Sequence, residues 1–263
     1  MKNVSSLLGI LILSVIGTTN ALADGGGCSG LPSYGQLKTA LDSAVTADTS
    51  GFNLNMWATV VNRDGVVCAV AYSGDNRGSQ WPGSRVISAQ KANTANAFSL
   101  EGLALSTGNL YSAVQGPTAS NKDLGGSLYG LQLSNPVDTS VAYRGDPSKM
   151  GTRYDPMVGG RIGGINVFGG GLALYNSSHQ IIGGLGLSGD TSCADHNQAW
   201  LTRHNLNLDY VPSPVFSVSA DLTRPDNIVY DSLNGNNNKI TDGWEQPTCA
   251  NTTDPTLLPT VRY

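Results

Sequence analysis

His196, Trp200 and His204 stand four residues apart, a spacing that places two imidazoles and an indole on one face of a helix, with Arg203 beside them. An aromatic and imidazole stripe suits a flat aromatic ligand such as haem, because a neutral imidazole can ligate iron. Eight residues rise about 12 Å along a helix, so only one of the two histidines can reach a given metal. His179, the third and last histidine, lies between Ser178 and Gln180 in an expected exposed turn, a poor place to bury a ring. Cys193 and His196 also share a helical face, but no second metal-ligand pair accompanies them.

The four cysteines, Cys28, Cys68, Cys193 and Cys249, form no Cys-x-x-Cys, which excludes a thioredoxin-like centre, a zinc ribbon and covalent c-type haem. An even count in an exported chain reads as two disulfides with three pairings open. Cys28 with Cys68 and Cys193 with Cys249 is the pairing expected, since the second would pin an otherwise loose C-terminal segment. Gly184-Leu185-Gly186-Leu187-Ser188-Gly189 matches a dinucleotide-binding spacing. That chemistry needs a parallel βαβ unit, whereas the preceding strand here belongs to a hairpin. The glycines are therefore read as close sheet–helix packing. Neither a Gly-x-Ser-x-Gly elbow nor a His-Glu-x-x-His pattern occurs, and no catalytic set is assigned.

These groups must be positioned by a chain with 40% hydrophobic and only 13% charged residues, a formal net charge of -4 and no basic run. That charge pattern speaks against nucleic acid or an anionic membrane as partner. Lys2, the apolar run Leu7–Ile16 and Ala21-Leu22-Ala23 read as a signal peptide over residues 1–23, cleaved after Ala23. The protein is then periplasmic or secreted, with no membrane association after cleavage. Ser33 caps an expected helix carrying Tyr34, Leu37, Leu41 and Val45. Residues 56–61 and 66–72 read as a hairpin around Asn62-Arg63-Asp64-Gly65, covered on both faces. Ser84 opens a second helix with Val86, Ile87, Ala92, Ala95 and Phe98 on its buried side. A short helical stretch is expected at 101–105 and a surface excursion over about 107–155. A second hairpin flanks Asn176-Ser177-Ser178-His179, and Ser192 caps a last helix running to about Asn205. The order of elements gives one α+β domain over 24–210, with a tail at 211–263 wrapping it.

Two blocks resemble the GlcG/HbpS-like haem-binding family. One is Trp57-Ala58-Thr59-Val60-Val61-Asn62-Arg63-Asp64-Gly65 with Ser84-Arg85-Val86-Ile87-Ser88-Ala89-Gln90-Lys91-Ala92-Asn93-Thr94-Ala95. It is similar to the family's apolar hairpin, Asp-Arg-x-Gly turn and Ser-x-x-Ile-Ala-x-x-Lys-Ala-x-Thr-Ala helix. The other is Gly169–Leu174 with Gly183–Gly189 and then Asp195. Asn62 stands where the family usually has Asp, and Ala173 where it has Pro. The resemblance implies a five-stranded antiparallel sheet flanked by helices, often in an oligomer. It also implies tetrapyrrole binding in some members, with haem degradation proposed. Lys91 and Arg85 are then expected near haem propionates or another anion. The resemblance transfers no iron ligand by position. His196 or His204 is the expected ligand, with Trp200 beside it. An enzyme acting on haem or another small molecule remains a second class, and a sensory or scaffold module binding a partner protein or metabolite a third.

Overall fold

The computed structural model describes residues 27–116, 126–231 and 243–263. The signal-peptide expectation falls outside these residues, as does the polar run at 234–238. Helix α1 (Tyr34–Ala47) begins at a capping box: the Ser33 hydroxyl accepts the Gln36 N–H, and Gln36 Oε1 accepts the Ser33 N–H. Its buried face is Leu37, Ala40, Leu41 and Ala44, with Tyr34 and Val45 partly covered. Strands β1 (Trp57–Asn62) and β2 (Val67–Tyr72) pair antiparallel. Asn62 Oδ1 accepts the Asp64 and Val66 N–H groups at 3.0 and 2.9 Å, and Gly65 takes φ +75°. An amide at this position thus holds the turn.

Helix α2 (Ser84–Phe98) follows, capped by Gly83 rather than by the expected Ser84, whose buried hydroxyl accepts from Ser188 at 3.1 Å. Strands β3 (Gly171–Tyr175) and β4 (Ile181–Ser188) form the second hairpin. Helix α3 (Ser192–Asn205) closes the core, capped by Thr191 rather than by the expected Ser192, because the Thr191 hydroxyl accepts the Ala194 N–H. The sheet is antiparallel in the order β2-β1-β4-β3. α2 covers one face, and α1 and α3 cover the other.

The sheet therefore has four strands among the described residues, not five. Gly160 accepts the Val67 N–H beside β2, but Gly159, Gly163 and Gly164 all adopt positive φ, which breaks any continued ladder there. Beside β3, the edge is closed by the Tyr175 N–H to the Leu208 carbonyl and by Arg203 donating to the Ala173 carbonyl. The stretch 101–105 is a turn rather than a helix, because Leu100 and Leu103 exchange backbone hydrogen bonds. Nor is 107–155 a surface excursion throughout. Thr107–Leu110 is a buried 3-10 turn, short helical turns follow, and Asp155 is buried beneath α2.

Disulfides join Cys28 to Cys68 and Cys193 to Cys249 across sequence separations of 40 and 56. By the chain-entropy account, each closes a loop worth about 4 kcal/mol. The second ties the start of α3 to the C-terminal segment, where Val218, Ile228, Val229, Tyr230, Leu258 and Val261 are buried.

Candidate functional site

The glycines of β3 and β4 set how α2 is seated. A Cβ on Gly184 would overlap the Ala92 carbonyl, one on Gly186 the Ser88 carbonyl, and one on Gly171 the Lys91 carbonyl. Main chain packs on main chain here, which assigns the glycine motif to packing rather than to a nucleotide. Seated this way, α2 sends Lys91 and Arg85 into the interior. Lys91 Nζ lies 2.5 Å from Asp195 Oδ2 and donates to the Leu187 carbonyl at 3.1 Å. Asp195 Oδ1 also accepts the Gly189 and Asp190 N–H groups. Burial pulls the Lys91 ammonium below its usual range against the raising effect of Asp195, and pushes the Asp195 carboxyl up to about 6. Arg85 makes a two-point pair with Asp155, Nε at 2.9 Å and Nη2 at 2.5 Å, and donates to the Ala142 carbonyl. Both cations expected near an anionic ligand are thus already neutralised by buried carboxylates.

The α3 stripe is similarly occupied. His196 is fully buried, and its Nε2 lies 3.0 Å from Asn227 Oδ1, which also accepts the Ile228 N–H. Nε2 also accepts the Ile228 N–H at 3.1 Å, and Nδ1 is buried with no partner. Burial pulls this imidazole down to about 4, so the ring is neutral near pH 7. Trp200 is buried, donates Nε1–H to the Pro259 carbonyl at 2.9 Å, and carries the Arg203 guanidinium 4.6 Å from its ring centroid. Desolvation pulls the Arg203 pKa down, but its ion-pair partner Asp226, with Asp209 and Tyr175, raises it above the usual range. His204, at the end of the stripe, is partly exposed but clasped: Nδ1 lies 2.7 Å from Asp209 Oδ2 and 3.2 Å from Arg262 Nη1.

The structure thus gathers Lys91, Asp195, His196 and Trp200 into one interior region around α3. It puts Arg85 under α2 with the 107–155 segment, and His204 at the surface end of α3. Cys193 is held in its disulfide, so the Cys193–His196 metal pair does not form. Asp155, Asp209, Asp226 and Asn227 complete these networks, and no local pattern marked any of them. One signal was present: Ser84, Ser88, Lys91 and Ala95 repeat at helical spacing, which puts the Lys91 stem on the face of the small residues.

Surface hollows lie among the described residues. One of about 470 Å³ separates the start of α1 from the end of α3. A second, of about 360 Å³, is lined by His179, Pro212, Ser213 and Tyr263. A third, of about 90 Å³, shares Pro212, Ser213 and Tyr263 with it and adds Val211, Val215 and Leu222. Neither His196 nor His204 lines any of them. His179 Nδ1 lies 3.2 Å from the Tyr210 carbonyl, and the two rings meet edge-on with centroids 6.2 Å apart.

A four-stranded antiparallel sheet with one helix pressed on its glycine face and two on the other makes this an α+β domain. The model of the haem-degrading HbpS-like protein family matches residues 36–201, and the chain belongs to that family. Among solved structures, Klebsiella pneumoniae protein ORFY is 25% identical, with 65% of this chain and 86% of that chain covered and a TM-score of 0.42. A PduOC–haem complex is 22% identical, with 68% and 94% covered and a TM-score of 0.44. HbpS is 15% identical, with 65% and 84% covered and a TM-score of 0.32. No curated protein matches the chain.

Proposed function

We propose that this protein binds haem or a related tetrapyrrole outside the cytoplasm. The observation that carries this is the family match across residues 36–201, which spans the sheet, α2 and most of α3. The side chains present are compatible with the group. Haem iron would take a side-chain donor, and His179 offers a ring nitrogen free of any protein partner beside a hollow it shares with Pro212, Ser213 and Tyr263. When bound, haem supplies a redox-active iron; the protein supplies the donor and the apolar surface. Both disulfides suit an oxidising compartment, and no helix among the described residues is long and apolar enough to cross a membrane.

The test is a haem titration of the disulfide-intact protein followed in the Soret region. A saturable shift at about one haem per chain is expected. The absence of any shift overturns the proposal and favours a sensory or scaffold module. Adding a reductant under oxygen then separates two functions: bleaching of the bound band indicates haem breakdown, and a stable band indicates storage or sensing.

A further inference from the structure

His179 combines an oriented ring, a free nitrogen and a hollow. A carbonyl only accepts, so Nδ1–H donates to Tyr210, and Nε2 is left without a protein partner. Metal-bound histidines are commonly held in just this way, with the second nitrogen donating to a backbone carbonyl or a carboxylate. His196 and His204 lack this arrangement. The first spends Nε2 on Asn227 inside the core, and the second sits between Asp209 and Arg262.

The turn that carries His179 does not need a histidine. Asn176 Oδ1 accepts the Ser178 and Gln180 N–H groups and the Asn176 carbonyl accepts the His179 N–H, so Asn176 and the main chain hold the loop. His179 itself takes φ +61°, a left-handed conformation that Gly or Asn adopts at lower cost. A ring placed at such a position, oriented by a carbonyl 31 residues away and facing a hollow, is arranged for a ligand. The hollow continues past Pro212 and Tyr263 into an apolar strip where Tyr263 and Leu222 are 67% and 72% exposed. Large apolar side chains left in water beside a free metal donor suit a flat apolar ligand with a metal at its centre.

We infer that the groove of His179, Pro212 and Tyr263 is the tetrapyrrole site, with His179 Nε2 as the iron ligand and Tyr263 packing on the macrocycle. This rests on the haem proposal above and deepens it. His179→Asn tests it, because Asn keeps the left-handed turn and removes the imidazole. The variant is expected to melt with the wild type, to lose at least about tenfold in haem affinity, and to shift the ferric Soret maximum. Tyr263→Ala should weaken binding less and leave the maximum in place. His196→Gln and His204→Gln should keep the wild-type spectrum. A wild-type spectrum and affinity in His179→Asn overturns the site while leaving haem binding intact, whereas no Soret response in the wild type overturns haem binding itself. A second measurement needs no variant. Diethyl pyrocarbonate should modify His179 in the wild type, and prior haem addition should block it, as located by peptide mass spectrometry. Equal modification of His179 with and without haem also overturns the site.

Discussion

The two faces of the sheet achieve burial by opposite means. On the α2 side, one row across the strands runs Gly171, Gly186, Thr59, Val70. It tapers from no side chain to a medium one, so α2 lies almost on the backbone of β3 and β4, and Thr59 Oγ1 meets Ser88 Oγ at 2.8 Å. On the other side, the adjacent row runs Leu172, Leu185, Val60, Ala69 and faces Leu37, Leu41, Ala194 and Trp200 of α1 and α3. The glycine face gains main-chain proximity and close packing but has little apolar bulk, and it admits buried charge at Lys91 and Arg85. The leucine face gains apolar area and tolerates adjustment, because side chains rather than main chain fill the gap. A sequence pattern that looks like a ligand loop is here the geometry of one helix on one sheet.

The largest effect should follow from giving the glycine face a side chain. Gly186→Val drives carbon into the Ser88 carbonyl and the Ala92 amide, both main-chain atoms that cannot rotate away. We expect no cooperative unfolding transition from that variant. Leu185→Ala, one residue away on the other face, should stay folded and lose about 2–5 kcal/mol, the ordinary cost of a core cavity. Urea unfolding followed by circular dichroism makes the comparison. A Gly186→Val protein that melts near the wild type would mean that α2 is not seated on the glycines.

The buried charge of the glycine face comes next. Lys91→Met leaves Asp195 in the interior without its cation and should cost about 3–5 kcal/mol. Adding Asp195→Asn removes the stranded charge while keeping an acceptor for the Gly189 and Asp190 N–H groups. The double variant should recover a substantial part of the loss. If the single variant is as stable as the double one, water reaches Asp195 and the pair is not sealed.

Much of the frame was legible in the sequence because its signals are local. Ser33 with Gln36 marks the start of α1, Asn62 with Gly65 marks the first turn, and the glycines of β4 mark close packing. The buried networks were illegible because their halves are remote. Arg85 finds Asp155 70 residues on, and Lys91 finds Asp195 104 residues on. A positive charge in a ligand-like block reads as a ligand contact until its carboxylate is seen. The α3 stripe shared a face as spacing required, but periodicity reports which residues share a face and not whether that face meets a cavity or a core. The sequence around His179 marks only an exposed turn. The wall beside that turn comes from Tyr210, Pro212 and Tyr263, a segment with no periodic pattern to announce it.

The smallest effect concerns His196, the titratable ring on the α3 side. Burial lowers its folded pKa to about 4 from an ordinary value of 6.5, so the folded state prefers the neutral ring. Above about pH 6.5 that preference contributes its full stabilisation. As pH falls from 6.5 to 4 the unfolded chain takes up a proton that the folded chain refuses, and the contribution is lost. Asp195, held up to about 6, works in the opposite sense over nearly the same window, because the folded state keeps its proton while the unfolded state has released it. The wild-type pH profile alone therefore conceals both. The informative quantity is the difference in unfolding free energy between wild type and His196→Gln, measured in urea from pH 7 to pH 4. With Asp195 present in both proteins, the difference should move against the wild type by on the order of 3 kcal/mol across that range. A difference that stays constant with pH would mean that His196 titrates alike in the folded and unfolded chains. Its ring would then be open to solvent, the leucine side would be looser than the glycine side at this point, and His196 would return as a rival to His179 for the iron.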